Sequence, residues 1–550
     1  MIGTVLLCFT LISGTIHASL QEKLTALNDR DMIRVIVHMR DQAYLSAVPV
    51  VFSKEKKIEF LRAYAQNNQA DLLKDLTRFS DRIQDVKTFW IFNGLVLNAT
   101  KEVICWIASR DDVDYIIDDR SVMLSKDAID GQDMAILRVP EWNIQQIKAD
   151  SCWHIGYDGS GTVIGNMSTG VDTSHPALQG KWVIGGWFDA VNGQPSPYDD
   201  QGHGIRMTGI MCGGDGNGPF FDDIGVAPGC RYICAKVFDA GGGAQLSWLH
   251  SGLQWFATQS ASVVNNPWGM SDITSLEFWD DCLNLRNLGI TPVFSVGSSG
   301  PGPETACTPG NYPLVIGVGA TDASDNIGSF SSRGPAPNQN PWTDTIYWSR
   351  PDWNLIKPDI AAPGVTVRSA APGGGYSTGS GTSTAASHVT GALAILLQKD
   401  SLATHEELYQ TLLDYAEHPP QGAPYPNNNY GWGRLNVFAA LNALAVKEQE
   451  KYYRTDLELS IHPNPFTEKI DIRCMIADAG LRIIDNRVQI KIYDVSGRVV
   501  RQWDYPTMRQ SDQIMWTGTD QTGRKVAAGI YFVELKAEDF FKTEKLVLLH

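Results

Sequence analysis

The chain has 550 residues, of which 43% are hydrophobic, and its formal net charge is −16 at pH 7. This length predicts several domains, because a single hydrophobic core rarely organises more than about 300 residues. The negative charge disfavours nucleic acid and anionic membranes as partners, since both would repel the chain. The 51 glycines and 27 prolines are typical of a globular protein with many loops.

The first residues predict a secretory signal peptide over residues 1–18. An apolar run from Val5 to Ile12 leads into small and polar residues up to Ala18, which indicates cleavage near Ala18–Ser19. No Lys or Arg precedes the run, so a buried N-terminal helix is the alternative interpretation. No later segment has the roughly 18 to 20 apolar residues that a membrane-spanning helix needs. We therefore expect no transmembrane segment once the signal is removed.

Eight cysteines follow the predicted signal, and in an oxidising compartment some of them could form disulfides. Cys230 and Cys234 are the closest pair in sequence, but no Cys or His pair nearby completes a zinc site. We expect no structural metal on these cysteines.

Residues 20–125 predict a small α+β domain, because β-branched alternation and helical spacing of apolar residues follow one another there. The predicted elements are a strand at 33–39, a helix at 53–79, strands within 88–100, a helix at 101–109 and a strand at 114–119. The order β-α-β-β-α-β is that of a ferredoxin-like fold. A polar connector follows at residues 126–142.

Two further domains are predicted downstream. Between residues 145 and 445, short runs rich in Val and Ile alternate with helical stretches, which indicates a parallel sheet flanked by helices. The charged stretch at 447–456 predicts a linker. From 457 to 550 the alternation has period two and is interrupted by turn pairs, which predicts an antiparallel β-sandwich.

Four sequence blocks in the α/β domain indicate its chemistry. They are GYDGSGTVIGNMSTGVDTSHPAL at 156–178, YDDQGHGIRMTGIMCGGDG at 198–216, SVGSSGP at 295–301, and KPDIAAPG at 357–364 followed by GSGTSTAASHVTGALA at 379–394. Together they resemble the subtilisin family of serine peptidases, most closely its bacillopeptidase F-like branch. The resemblance implies an Asp-His-Ser triad, an Asn that helps to bind the oxyanion, and a polypeptide substrate.

The resemblance assigns the four catalytic positions as follows. Ser383 aligns with the nucleophile, at the start of a helix expected to run to about residue 398, and His203 aligns with the general base. Ser168 stands where the family has the triad Asp, and Ser298 stands where it has the oxyanion Asn. A serine cannot supply the negative charge that stabilises an imidazolium, and its hydroxyl is too short to replace an amide donor.

We expect proteolysis to be lost or strongly impaired. Removal of the triad carboxylate costs about 10⁴-fold in rate, and removal of the Asn donor costs about 10² to 10³-fold. Rescue by Asp172, Asp199 or Asp200 is not expected, since an acidic residue such as Asp172 is common in active relatives without being the triad member. A slow endopeptidase using Ser383 and His203, or a structural cell-surface module, is the alternative.

The resemblance also implies two backbone segments that pair with an extended substrate. One is Asn266, Pro267, Trp268 and Gly269, and the other contains Gly241 and Gly242. Pro267 lacks an N–H and fixes φ, which puts substrate pairing in doubt at that point.

The flanking domains carry resemblances of their own. Residues 20–125 resemble the inhibitory propeptide of these peptidases, which implies that the chain's own propeptide is a partner of the cleft. The motifs HPNPF at 462–466, IYDVSGRVV at 492–500 and VAAGIYFVEL at 526–535 resemble the sorting domain of bacterial type IX secretion cargo. This implies a secreted or cell-surface protein, with a plain structural or carbohydrate-binding β-sandwich as the alternative. The acidic loop at 215–223 is a candidate calcium site, and no other cofactor is expected.

Overall fold

The structure is a computed structural model that describes residues 14–43, 53–124, 128–133, 140–214, 223–452, 457–476, 488–495, 497–505, 513–537 and 540–549. The chain divides into two compact units. The first comprises residues 1–47 and 56–446, and the second comprises residues 48–55 and 447–550.

The helices and strands are numbered in chain order. The helices are α1 (Ala18–Ala26), α2 (Lys54–Leu76), α3 (Lys101–Ala108), α4 (Trp142–Gln146), α5 (Ala149–His154), α6 (His203–Cys212), α7 (Leu246–Ala257), α8 (Trp279–Asn287), α9 (Thr382–Lys399), α10 (His405–Asp414) and α11 (Val437–Tyr452). The strands of the first unit are β1 (Thr15–Ile16), β2 (Met32–Met39), β3 (Ile83–Phe89), β4 (Gly94–Thr100), β5 (Val113–Asp118), β6 (Ser121–Met123), β7 (Ala128–Asp133), β8 (Val163–Ser168), β9 (Trp182–Asp189), β10 (Arg231–Lys236), β11 (Gly243–Gln245), β12 (Val263–Asn266), β13 (Thr291–Ser295), β14 (Ile316–Thr321), β15 (Ile360–Pro363), β16 (Val367–Ala371) and β17 (Gly375–Ser380). The strands of the second unit are β18 (Leu457–His462), β19 (Ile470–Ile476), β20 (Val488–Asp494), β21 (Val499–Tyr505), β22 (Gln513–Trp516), β23 (Gly529–Ala537) and β24 (Phe540–Leu548).

The N-terminal α+β region is built on a five-stranded sheet in the order β1-β5-β2-β4-β3. The pairs β5·β2, β2·β4 and β4·β3 are antiparallel, and the connection of these strands through α2 and α3 confirms the predicted ferredoxin-like order. Helix α2 covers the sheet because its buried residues recur every three or four positions, as at Ile58, Leu61 and Ala65.

Two elements at the start of the chain were not predicted. Strand β1 pairs in parallel with β5, and α1 begins at Ala18. Residues 1–13 of the expected signal peptide lie outside the described residues. Cleavage near Ala18–Ser19 would remove β1 from this sheet, and the signal peptide stays a prediction.

The α/β region is built on a seven-stranded parallel sheet in the order β15-β14-β13-β12-β8-β10-β9. This confirms the predicted architecture. Helix α9 packs on β12 to β15, and every residue from Thr382 to Leu397 is buried, so the helix is covered on all sides. Strand β8 lies between β10 and β12, where the direction of winding changes. In sheets of this type, ligands bind outside the carboxyl ends of the strands at that point.

The connector at 126–142 differs from its prediction. It contains β7, which pairs antiparallel with β17 and places Ala128 opposite Ser380 and Asp133 opposite Tyr376. The sequence AIDGQD has no strand pattern of its own. The strand forms because the edge of β17 offers backbone groups that a neighbouring segment can pair with.

The predicted linker at 447–456 differs in its first part, because α11 continues into it as far as Tyr452, and residues 453–456 lie outside the described residues. The sequence KEQEKY at 447–452 contains good helix formers and no Gly or Pro, which favours a helix there.

The second unit contains two antiparallel sheets in the orders β18-β19-β22 and β21-β20-β23-β24. They share a core that includes Phe466, Ile490, Trp516 and Val533, which is consistent with the predicted β-sandwich. Strand β22 was missed by the sequence analysis because its alternation is only four residues long.

Asp-x-x-Gly-Arg turns occur twice in this unit, at 494–498 and at 520–524. In each turn the Asp N–H donates to the Arg carbonyl oxygen and the Gly N–H donates to the Asp carbonyl oxygen. Each glycine has a positive φ, 80° at Gly497 and 85° at Gly523, which explains the requirement for glycine.

Seven cysteines have described side chains, and all of them are free thiols. The described part of the chain holds no helix with the length and apolar character needed to cross a membrane.

Candidate functional site

Four elements of the first unit bring the predicted catalytic positions to the carboxyl edge of the parallel sheet. Ser168 ends β8, and His203 begins α6. Ser298 follows β13, and Ser383 lies in the first turn of α9. Helices α6 and α9 pack against each other, so the predicted base and nucleophile both lie on the first turns of neighbouring helices.

The close approach of α6 to the end of β8 is possible because two glycines meet there. A Cβ at Gly204 would lie 2.0 Å from the carbonyl oxygen of Gly170, a distance too short for two atoms that are not bonded to each other. Asp199 fixes the start of the helix, because its carboxylate accepts hydrogen bonds from the N–H groups of Gly202 and Ile205 at 2.8 Å each. These contacts bring His203 against the strand end.

Ser168 contacts His203 directly. Its Oγ lies 2.7 Å from Nδ1 of the imidazole, and both side chains are buried. A hydroxyl can donate or accept at this distance, so Ser168 does not select the tautomer in which Nε2 is free to accept a proton from a nucleophile. The ring is held in place, but the charge that would stabilise its protonated form is absent.

The three nearby carboxylates contact other groups. Asp172 accepts hydrogen bonds from the N–H and hydroxyl of Ser174. Asp199 caps α6, and Asp200 lies 2.5 Å from Nζ of the buried Lys236. Lys236 also donates to the carbonyl oxygen of residue 169 at 2.7 Å, which places a cation next to the end of β8.

Ser298 lies beside the first turn of α9. Its Oγ is 3.5 Å from Oγ1 of Thr382, the residue before Ser383, and it is only partly buried. The hydroxyl is therefore near the predicted nucleophile, but it carries no amide N–H that could reach an oxyanion.

The predicted substrate segments lie at the ends of β12 and β10. The side chain of Asn266 is buried and donates to the carbonyl oxygens of Val264 and Val293, while Pro267 and Trp268 are buried as well. Gly269 cannot carry a side chain, because its Cβ would lie 2.2 Å from Sγ of Cys307. The side chains at 266–268 therefore belong to the core, and only backbone groups remain for pairing with a peptide.

Gly241 and Gly242 precede β11, and this segment is paired. Strand β6 lies antiparallel to β11 with Met123 opposite Gly243, and the N–H of Leu124 donates to the carbonyl oxygen of Gly242 at 2.9 Å. Beyond residues 125–127, which lie outside the described residues, the chain pairs with β17 as β7.

Strand β17 was not identified from the sequence. Its only signal is a glycine-rich stretch, GGGYSTGSG at 373–381, directly before the predicted nucleophile. The candidate calcium loop lies outside the described residues except for Asp223.

Known proteins match this chain in two regions. The subtilase family model matches residues 159–433, and the model of the secretion system C-terminal sorting domain matches residues 460–549. Bacillopeptidase F of Bacillus subtilis (strain 168) is 33% identical over 440 residues, which are 73% of this chain and 29% of that protein. Subtilisin E of the same strain is 30% identical over 305 residues, which are 54% of this chain and 70% of that protein.

Subtilisin of Bacillus pumilus is 30% identical over 303 residues, which are 54% of this chain and 98% of that protein. The sorting domain identifies a secreted or cell-surface protein. By its parallel sheet and the match over residues 159–433, the chain belongs to the subtilase family and carries a secretion system C-terminal sorting domain.

Proposed function

We propose that this protein is a secreted subtilase homologue whose proteolytic activity is lost or strongly impaired, and whose cleft binds a peptide without efficient turnover. The observation that carries the proposal is the 2.7 Å contact between Ser168 Oγ and His203 Nδ1. A neutral hydroxyl occupies the place of the carboxylate that an active triad needs.

The size of the effect follows from the role of that carboxylate. It stabilises the imidazolium that forms when the nucleophile loses its proton, and its loss costs about 10⁴-fold in rate. The contacts of Asp172, Asp199 and Asp200 with other groups argue against rescue.

The N-terminal α+β region acts in this proposal as a propeptide that stays attached. Its last strand, β6, pairs with β11, and the chain then continues into β7 beside β17. Asp119, at the end of the same region, accepts hydrogen bonds from the N–H and hydroxyl of Ser247 in the first turn of α7. The described residues on both sides of 125–127 are therefore paired with the segments next to the predicted substrate and nucleophile positions, which supports an uncleaved connection.

A slow serine endopeptidase using Ser383 and His203 is the second candidate. The pairing of Ala128 with Ser380 favours it, because a peptide held on both sides of residues 125–127 is positioned for cleavage in cis. Even a weak nucleophile could then cut once per molecule.

The intact mass of the secreted protein tests both candidates, with Ser383→Ala as the matched control. We expect both the wild type and the variant to retain the segment before residue 128. Loss of that segment from the wild type alone would overturn the proposal in favour of the slow endopeptidase. Equal loss from both proteins would assign the cut to another peptidase.

A further inference from the structure

A buried cluster that includes none of the catalytic positions joins the N-terminal α+β region to the α/β region. It contains His38 of β2, His250 of α7 and Glu277, which lies just before α8. All three side chains are at most 4% exposed, although they come from three separate parts of the chain. Burial of this many ionisable groups requires a compensating partner.

The three side chains converge on one point. Nε2 of His38 lies 3.2 Å from Oε1 of Glu277, and Nε2 of His250 lies 2.9 Å from the same oxygen. Each of the three ligand atoms lies within 4.8 Å of the other two. A tetrahedral zinc ion with bonds of about 2.0 to 2.1 Å separates its ligand atoms by about 3.3 Å. The two separations to Oε1 of Glu277 are close to that value, and the ligand atoms of the two histidines lie within 4.8 Å of each other.

A second layer of contacts orients the ligands. Nδ1 of His250 lies 3.0 Å from a carboxylate oxygen of Asp281, and the hydroxyl of Tyr115 donates to Oε2 of Glu277 at 3.2 Å. When Nδ1–H of His250 donates to Asp281, the lone pair of Nε2 faces Oε1 of Glu277, and two lone pairs cannot face each other without a cation between them. Histidines that bind metals characteristically donate their other N–H to a carboxylate in this way.

The charges point to the same conclusion. Glu277 and Asp281 are both buried. Two ionised carboxylates carry two negative charges, so the cluster is neutral only when two positive charges lie beside them. Two protons on the imidazoles or one divalent cation would each provide the compensation. A divalent cation would bind the neutral imidazoles through the two Nε2 atoms, which both lie near the shared oxygen.

We propose that His38, His250 and Glu277 bind one zinc-class divalent cation, which links β2 of the N-terminal region to α7 and to the segment before α8. Two imidazoles and one carboxylate form a ligand set that suits zinc, with a fourth position left for water. The ion would hold the N-terminal region in place whether or not the chain is cleaved, so this site is independent of the state of the catalytic positions.

Cobalt titration of the metal-stripped full-length protein at pH 7.5 tests the site, because four-coordinate cobalt absorbs visible light. We expect one equivalent of Co²⁺ per chain to produce this absorption and zinc to displace it. His38→Gln should abolish the absorption. His154 is exposed and is not part of the cluster, so His154→Gln is the control and should leave the absorption unchanged. No absorption in the wild type, or full absorption in a folded His38→Gln protein, would overturn the proposal and leave two protons as the compensating charge.

A second measurement covers the case in which His38→Gln does not fold. Asp281→Asn keeps all three ligands and removes only the carboxylate that orients His250, so we expect the same spectrum with cobalt affinity reduced about 10- to 100-fold. Zinc should also raise the unfolding temperature of the wild type as its concentration increases, and a chelator should reverse the effect. An unchanged affinity in Asp281→Asn, or an unfolding temperature that zinc does not change, would contradict the site.

Discussion

Ala128 of β7 lies opposite Ser380 of β17 in an antiparallel pair. Ser380 is three residues before Ser383 in the chain. On the other side of residues 125–127, Leu124 donates its N–H to the carbonyl oxygen of Gly242. The described residues on both sides of 125–127 are therefore each paired with a neighbouring segment. In an active subtilase this arrangement would present a peptide bond for cleavage. In this protein the hydroxyl of Ser168 contacts His203 in place of a carboxylate.

Ser168→Asp should restore cleavage within residues 125–127. The carboxylate would stabilise the protonated form of His203, and we expect the rate of self-cleavage to rise by about 10⁴-fold. Intact mass as a function of time measures this rate, and Ser168→Asp combined with Ser383→Ala is the inactive control. Ser298→Asn added to Ser168→Asp should give a further increase of about 10² to 10³-fold. A protein with both replacements that still does not cleave would show that the defect lies elsewhere, for example at Pro267.

Leu124→Pro should loosen the paired segment. Proline has no N–H, so the 2.9 Å hydrogen bond to the carbonyl oxygen of Gly242 is lost. A net loss of about 1 kcal/mol corresponds to about a fivefold larger open population, and cleavage of this segment by an added protease should accelerate by the same factor. Leu124→Ala keeps the N–H and serves as the control for loss of the side chain. Equal cleavage rates in the two variants would show that this hydrogen bond does not hold the segment.

His388 should make the first unit sensitive to mild acid. Its Nδ1 lies 2.9 Å from the carbonyl oxygen of Thr384 and its Nε2 lies 2.8 Å from Nδ2 of Asn143, a pattern that fits a neutral ring. Burial lowers its pKa to about 4, below the value of about 6.5 in an unfolded chain. The unfolded state therefore binds the proton first, and stability that is fully present above pH 6.5 is lost as the pH falls towards 4.

The loss attributable to His388 should be on the order of 2 kcal/mol between pH 7 and pH 5. Urea unfolding at these two pH values measures it. His388→Gln cannot be protonated, so its stability should change less over this interval than that of the wild type. The exposed His154 provides the matched control, since His154→Gln should retain the full dependence on pH.

Gly497→Ala should destabilise the hairpin between β20 and β21. Gly497 has a φ of 80°, which costs an L-residue about 1 to 2 kcal/mol, although no atom would contact the new Cβ. Hydrogen exchange of the β20 and β21 amides in the full-length protein should become faster by the corresponding factor. Gly529 is the control, because it also has open space around its Cβ but no positive φ. Identical exchange in both variants would rule out backbone conformation as the reason for glycine at position 497.

The regular elements were predictable where their pattern is local. The spacing of buried residues in α2 and the two adjacent valines in β12 carry their own signal, and the predicted helix after Ser383 is observed as α9. The sequences of β7 and β22 do not predict strands, because β7 has no alternating pattern and that of β22 is only four residues long. Both segments form strands by pairing with a neighbouring strand, β17 for β7 and β19 for β22. The helix at the start of the predicted linker was not predicted, because its charged residues are typical of a linker although they are also good helix formers.

The amino-acid sequence by itself determined the family resemblance, the order of the domains and the two replaced positions, Ser168 and Ser298, because each depends on which residue types stand at which spacing. Only the tertiary structure decided which groups meet. The pairing of both sides of residues 125–127 and the convergence of His38, His250 and Glu277 join residues far apart in the chain, whereas the family resemblance had already implied that Ser168 meets His203. Such contacts depend on how layers pack in three dimensions, and residue spacing carries no record of that packing.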